Sequence, residues 1–260
     1  MVNKPLTLFN GRPREDELTD EELAAHLAEE AGRLLLEQRR SALLQGTALG
    51  AVADQVANAF LLAGLAQWRP ADAVLSEESF DDRRRLGHRR VWIIDPLDGT
   101  REYGEGRDDW AVHVALAVDG APRVGAVAVP ALGRLYRSDR APPAAAEARR
   151  DRPRMLVSRS RPPAEAAEIA ALLGAEMVAM GSAGAKAMAV VAGEADLYYH
   201  AGGQHEWDNC APAAVALAAG LHASRLDGSP LAYNRPDTNV PDLVIGRPTL
   251  ARRVLAACGR

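Results

Sequence analysis

The stretch Val91-Trp92-Ile93-Ile94-Asp95-Pro96-Leu97-Asp98-Gly99-Thr100 constrains this chain more than any other. Its four leading apolar residues read as a short buried strand, and Pro96, which has no N–H, is expected to end the pairing. Two carboxylates follow three positions apart, with a glycine and a hydroxyl behind them. Charge at the mouth of a core strand is costly unless something balances it. A divalent cation would do so, and the Asp-Gly step would expose backbone N–H groups where a phosphate can bind. A tight turn with solvated aspartates accounts for the same residues, because Asp, Gly and Pro all favour turns.

Other acidic positions recur along the chain. Thr19-Asp20-Glu21-Glu22 has the capping-box form, and Leu23, Leu27, Ala31, Leu34 and Leu35 then repeat at helical spacing to about Arg40. Gln45 to Gly50 interrupts that pattern. A second helix is expected from Ala53 to Trp68, with Val56, Phe60, Leu61 and Leu65 facing the core. Asp54 would then lie in its first turn, where capping or compensation of the helix dipole explains a carboxylate as well as catalysis does. Ala73-Val74-Leu75 reads as a strand ending in Ser76-Glu77-Glu78, a second acidic strand end. Two such ends can converge on one crevice of an α/β sheet, or be exposed acidic turns. Asp81 to Arg90 reads as a surface excursion.

Beyond Thr100, the segment Arg101 to Asp109 suits a loop over a site. Trp110, Val112, Val114, Leu116 and Val118 alternate as in a strand, Asp119-Gly120 turns, and Val124 to Val129 and Leu132 to Arg137 return. Sequential strands of this kind imply an antiparallel sheet, and no Gly-x-Gly-x-x-Gly run is present. The Pro-, Ala- and Arg-rich stretch Ala141 to Pro153 is the expected boundary, giving halves at 1–145 and 146–260. The second half alternates strand and helix: Met155 to Val157, Pro163 to Leu173, Met177 to Met180, Ala185 to Val191 and Ala195 to Tyr199. Gly181-Ser182-Ala183-Gly184-Ala185-Lys186 is too short for a nucleotide P-loop, but a glycine turn opening a helix can receive an anion. Lys186 is either a surface residue or close to such a ligand. A loop from His200 to Gln204 leads to Glu206-Trp207-Asp208, which opens a helix through Ala219. Asp208 there is a cap or a late metal ligand. His200 and His205 lack further soft ligands for zinc. Val240 to Gly246 and Leu250 to Cys258 close the chain as strand and helix.

Composition narrows the classes. A formal charge of -4 argues against a nucleic-acid polymer or an anionic membrane as partner. No apolar run is expected to reach membrane-spanning length, and Met1 to Asn10 lacks the form of a signal peptide. Two cysteines, Cys210 and Cys258, fit a reducing, cytoplasmic setting rather than a disulfide framework.

Asp95-Pro96-Leu97-Asp98-Gly99-Thr100, preceded by Glu77 and followed by Trp207-Asp208, resembles the magnesium-dependent, lithium-sensitive phosphomonoesterases of the inositol monophosphatase superfamily. The resemblance covers roughly residues 20–257. Asp98 to Tyr103 and His205 to Asp208 are most similar to the CysQ branch, which removes the 3′-phosphate of adenosine 3′,5′-bisphosphate. Leu75 to Glu78, Gly181 to Lys186 and His222 to Leu231 are similar to its actinobacterial form. What this implies is an α+β fold layered α-β-α-β-α, with an N-terminal antiparallel-sheet half and a C-terminal α/β half.

The resemblance also implies roles. Glu77, Asp95, the Leu97 carbonyl, Asp98 and Asp208 would hold Mg²⁺, two or three ions per site, with Asp95 bridging. Asp54 and Thr100 would orient the attacking water, with Glu77 beside them in catalysis. From the residues themselves, the Gly99 and Thr100 amides would hold oxygens of the substrate, a small phosphorylated molecule. The strand-end segments Gly181 to Lys186 and His200 to Glu206, with Ser182, Lys186 and Glu206, would select the leaving group, Lys186 carrying the charge a second phosphate needs. A homodimer is common in the superfamily. One departure stands out: Ala51-Val52-Ala53-Asp54 replaces the usual Thr-x-Ala-Asp, and no lysine lies nearby upstream. The rival functions are an inositol or fructose bisphosphate phosphatase, since metal motifs do not choose the leaving group, and a non-enzymatic acidic ion-binding protein.

Overall fold

A computed structural model describes residues 18–143 and 151–259. In chain order, α1 (Asp20–Arg40) and α2 (Gly46–Trp68) lead to β1 (Ala73–Ser76) and β2 (Arg90–Asp98). A single turn, α3 (Thr100–Gly104), then precedes β3 (Ala111–Val118), β4 (Ala121–Val129) and β5 (Arg134–Arg137). The remainder runs β6 (Arg154–Ser158), α4 (Ala166–Leu173), β7 (Glu176–Met180), α5 (Ala183–Val191), β8 (Leu197–His205), α6 (Glu206–Ala218), β9 (His222–Ser224), β10 (Asn239–Gly246) and α7 (Pro248–Cys258).

The first sheet is ordered β1-β2-β3-β4-β5, and only β1 and β2 run parallel in it. The second is ordered β7-β6-β8-β10-β9, parallel at β7-β6-β8 and antiparallel beyond. Strand periodicity of two decides what each face meets. Trp92, Ile94, Val112, Val114 and Leu116 pack with Leu23, Leu27, Leu61 and Leu65 of α1 and α2. The alternate residues Val91, Ile93, Ala115 and Val127 pack with Met188, Val190, Ala211 and Val215 of α5 and α6, whose far side meets Leu156, Tyr198, Leu243 and Ile245. Met155, Val157, Tyr199 and Val244 then cover Ile169 of α4 and Val254 of α7. Helix, sheet, helix, sheet, helix follow in order, the mixed layered architecture expected. The Pro/Ala/Arg stretch lies partly outside the described residues.

Several local readings change. Thr19 caps α1 with the reciprocal Glu22 bond, as its spacing predicts. Helix α2, however, begins at Gly46, so Asp54 sits in its third turn and dipole compensation does not explain it. Val56 is 43% exposed and does not face the core. By length and apolarity α2 is also sufficient to cross a bilayer, contrary to expectation, but here it is a core helix packed on α1, β2 and α3. Its approach to α3 requires Gly50, where a Cβ would stand 2.8 Å from Thr100 Cγ2. Pro96 does not end β2: pairing with β3 resumes at Asp98↔Ala111 after an irregularity past Asp95↔His113. That irregularity turns both carboxylates inward. His200 to Gln204 is strand rather than loop, β9 was not foreseen, and Arg85 in the surface excursion is only 2% exposed, bonded to Asp81, Asn234 and Arg235.

Candidate active site

Remote segments end at one place. Glu77 follows β1, Asp95 and Asp98 close β2, Asp208 lies in the first turn of α6, and Asp54 comes from within α2. One oxygen from each of Asp95, Asp98 and Asp208 lies within 4.8 Å of the others. Glu77, Asp95, Leu97, Asp98, Gly99, Thr100 and Asp208 line one cavity of about 580 Å³.

The three aspartates are held differently. Asp98 accepts from Ser182 Oγ (2.5 Å), Ala183 N (3.1 Å) and Gly184 N (2.6 Å), so it ties β2 to the first turn of α5. His113 Nε2 stands 3.2 Å from its Oδ2. Burial alone would raise this carboxyl, but His113, Lys186 and Ser182 outweigh it and hold Asp98 down at about 2. Asp95, 1% exposed, accepts only Leu97 N, at 3.1 Å, among the described residues. Burial first, then the charges of Glu77, Asp98, Asp208 and Asp54, push it well above the ordinary carboxyl range. Asp208 accepts His205 N at 2.6 Å, yet burial and then Asp98 raise it to about 6. Glu77 is exposed on its solvent side but set among carboxylates: desolvation, then Asp208, Asp54, Asp98 and Glu78, push it up to about 8.

Asp54 and Thr100 meet, with Thr100 Oγ1 3.1 Å from Asp54 Oδ2 and 3.1 Å from the Leu97 carbonyl. Asp54 is 5% exposed, its Oδ1 has no hydrogen-bond partner among the described residues, and burial followed by Glu78 raises it to about 7. Ala51, at the departure from the common motif, is exposed on the rim of a neighbouring cavity shared with Asp54, Glu77 and Thr100.

The other expected substrate contacts divide. Gly99, in the left-handed region at φ 91°, lines the cavity with Thr100. Ser182 lines it too, but its hydroxyl is spent between Asp98 and Ala185 N. Lys186 is 2% exposed rather than superficial: Nζ donates to the carbonyls of Gly181 and Ser182 and lies 5.0 Å from the Tyr198 ring centre. Glu206 does not line the cavity. Its carboxylate accepts the N–H groups of Asn234 (2.8 Å) and Arg235 (2.7 Å), which makes it a brace for the start of α6. Sequence reasoning missed His113, which bonds the Trp207 carbonyl (3.0 Å) and so spans Asp98 and α6. A histidine inside an otherwise apolar strand, in register with Asp95, was the available signal. It also missed Ser158, Ser160, Arg161 and Tyr198 on the cavity wall, whereas His200, there too, was read both as a zinc candidate and as the start of a substrate-selecting segment, His200 to Glu206.

A profile of the inositol monophosphatase family matches residues 16–257. The chain belongs to that family. It is 53% identical to the 3′-phosphoadenosine 5′-phosphate phosphatase of Mycobacterium leprae, over 92% of this chain and 93% of that one. It is 33% identical to the 3′(2′),5′-bisphosphate nucleotidase CysQ of Escherichia coli, over 70% of this chain and 78% of that one. Among solved structures, CysQ of Bacteroides thetaiotaomicron superposes with a TM-score of 0.74 at 27% identity, covering 86% of this chain and 96% of that one.

The donor set suits the cation this family membership implies. Asp95, Asp98 and Asp208 form a cluster able to hold a divalent metal ion, and every candidate donor is oxygen. Oxygen-only sets favour hard cations such as Mg²⁺ over zinc or copper. The upward shifts at Asp95, Asp208 and Glu77 express the same fact: positive charge is wanted here.

Proposed function

We propose that this chain is a Mg²⁺-dependent phosphomonoesterase that removes the 3′-phosphate of adenosine 3′,5′-bisphosphate, giving AMP and inorganic phosphate. The observation that carries the substrate is a stacked pair of rings beside the acidic cluster. His205 and Trp207 lie 4.7 Å apart with planes 14° from parallel, and both line the same cavity as Asp208. A purine has a flat surface to rest on there, whereas a cyclitol calls for clustered polar groups. The activities of the relatives from Mycobacterium leprae and Escherichia coli favour the same substrate. 3′-Phosphoadenylyl sulfate carries the same 3′-phosphate and is a second candidate. The reaction belongs to sulfate assimilation in the cytoplasm, a setting with which two free cysteines agree.

Glu77, Asp95, the Leu97 carbonyl, Asp98 and Asp208 are the residues that would hold Mg²⁺. When bound, the ions supply charge to the phosphate oxygens and acidify a water. Thr100 has one hydroxyl hydrogen and two acceptors at equal distance, Asp54 Oδ2 and the Leu97 carbonyl, each 3.1 Å away. A Leu97 carbonyl engaged elsewhere leaves that hydrogen to Asp54, so Thr100 Oγ1 accepts from the attacking water and aims it. Glu77 takes the proton of that water as its oxygen bonds to phosphorus and the bond to the 3′-oxygen breaks. The ribose oxygen leaves with a proton from solvent, while Gly99 and Thr100 cradle the reacting phosphate. Turnover of adenosine 3′,5′-bisphosphate, inositol 1-phosphate and fructose 1,6-bisphosphate, measured side by side with Mg²⁺, tests the assignment. A higher kcat/KM for inositol 1-phosphate would overturn it.

A further inference from the structure

His200 lies on β8, only 7% exposed, on the wall of the cavity that holds the acidic cluster. Neither ring nitrogen has a hydrogen-bond partner among the described residues. A ring this buried with both nitrogens idle is costly unless a ligand meets it. Arg161 lines the same cavity, and its guanidinium has no carboxylate partner among the described residues. Arg159, two residues earlier, does have partners: it pairs with Glu102 and Glu105, each at 2.8 Å.

The fold brings His200 and Arg161 together. β6 and β8 run parallel with Leu156 beside Tyr198, so the Ser158–Arg161 turn that follows β6 lies next to His200 on β8. Arg159 anchors that turn to Glu102 of α3, just past the Asp98-Gly99-Thr100 corner. Burial first, then the charges of Lys186 and Arg161, push His200 down to about 4, so its ring is neutral and offers one N–H. Arg101, the other arginine on this cavity without a carboxylate partner among the described residues, directly follows Thr100 at the corner proposed to cradle the reacting phosphate. Lys186 would have to give up two carbonyls to reach a ligand.

We infer that Arg161 and His200 form the subsite for the second, non-reacting phosphate of the substrate, a role that Lys186 does not fill. The inference rests on the bisphosphate reading above. Arg161 supplies a forked charged donor and His200 a neutral one, a pairing suited to a phosphate dianion.

The test uses Arg161→Gln, His200→Phe and Lys186→Met with two substrates, adenosine 3′,5′-bisphosphate and adenosine 3′-monophosphate. Thermal melts check that each variant is folded. Arg161→Gln and His200→Phe should each raise KM for the bisphosphate about tenfold or more, with kcat nearly unchanged and the monophosphate unaffected. AMP keeps only the distal phosphate, so calorimetry should show its affinity falling about tenfold in Arg161→Gln, while adenosine binds as before. Arg161 lies on an exposed turn, so that variant decides the matter even where His200→Phe misfolds. Equal losses on both substrates in Arg161→Gln, or a selective loss in Lys186→Met alone, would overturn the subsite. Wild-type protein preferring inositol 1-phosphate to both nucleotides would overturn the bisphosphate reading itself.

Discussion

Replacing Asp95 by asparagine should make the metal-free protein more stable while nearly abolishing its activity. The cluster places one oxygen of each aspartate within 4.8 Å of the others. At an effective dielectric of about 20, Coulomb's law puts each fully ionised pair at that distance at about 3.5 kcal/mol of repulsion. The protein escapes part of this by taking up a proton, because burial and then its carboxylate neighbours hold Asp95 well above the ordinary range. A carboxyl raised in the folded state contributes its stability below its unfolded pKa of about 4, and that contribution is lost as pH climbs through the folded value. Asp208 at about 6, Asp54 at about 7 and Glu77 at about 8 share this sign. Metal-free wild-type protein should therefore weaken from about pH 4 to about pH 8.

The Asp95→Asn substitution removes one charge and keeps an acceptor for the Leu97 N–H, the only hydrogen bond Asp95 makes among the described residues. After the proton already taken up is allowed for, a gain of about 2 kcal/mol at pH 8 remains, a rise of several degrees in Tm for a chain of this length. The gap between variant and wild type should widen from pH 5 to pH 8 and reverse when Mg²⁺ is added, because only the wild type gains from binding. Thermal melts in chelator across that range, followed by a magnesium titration of turnover, measure both halves. A variant no more stable than wild type at pH 8 without metal, or one with wild-type turnover across the titration, would refute the reasoning.

Other substitutions probe the site from different sides. Glu77→Gln should lower Mg²⁺ affinity and turnover at least tenfold, whereas Glu78→Gln, whose carboxylate is bonded to Gln55, should change both less than twofold; equal losses would remove the distinction. Thr100→Val should cost kcat about a hundredfold with Tm nearly unchanged, and Thr100→Ser should restore most of it; a serine variant as slow as the valine one would show that the hydroxyl alone does not carry the role. Gly184→Ala drives a Cβ into the His113 ring, which Asp98 and the Trp207 carbonyl hold in place, so about 1–3 kcal/mol of stability should go even without metal. An unchanged denaturant midpoint would mean that the ring has room to give.

What could be read from the sequence was whatever local periodicity or short spacing encodes. The alternation from Trp110 to Val118 gives β3, and Thr19 with Glu22 gives the start of α1, because both signals act within a few residues. The carboxylates were legible for a related reason: Glu77, Asp95 and Asp98 stand at strand ends where no core residue would be charged. Contacts between distant segments were not legible. The spacing of Gln45 to Gly50 looks like a break, yet α2 begins at Gly46 because Gly50 and Gly104 let it press against α3.

The same distinction separates the ionisable groups around the cavity. Glu206 and Lys186 sit beside motif residues, and Lys186 carries the charge a second phosphate would want, so proximity in sequence favoured them. Glu206 is committed to two N–H groups some thirty residues downstream, and Lys186 to two carbonyls of the preceding turn. His200 was legible only as the start of a substrate-selecting segment and Arg161 belongs to no conspicuous run, yet among the described residues the buried His200 ring has no hydrogen-bond partner and Arg161 no carboxylate. A buried polar group that is already satisfied gains little from a ligand, and one left unsatisfied gains the most. Substrate selection in this cavity should therefore follow which polar groups are still free, a property only the folded chain displays.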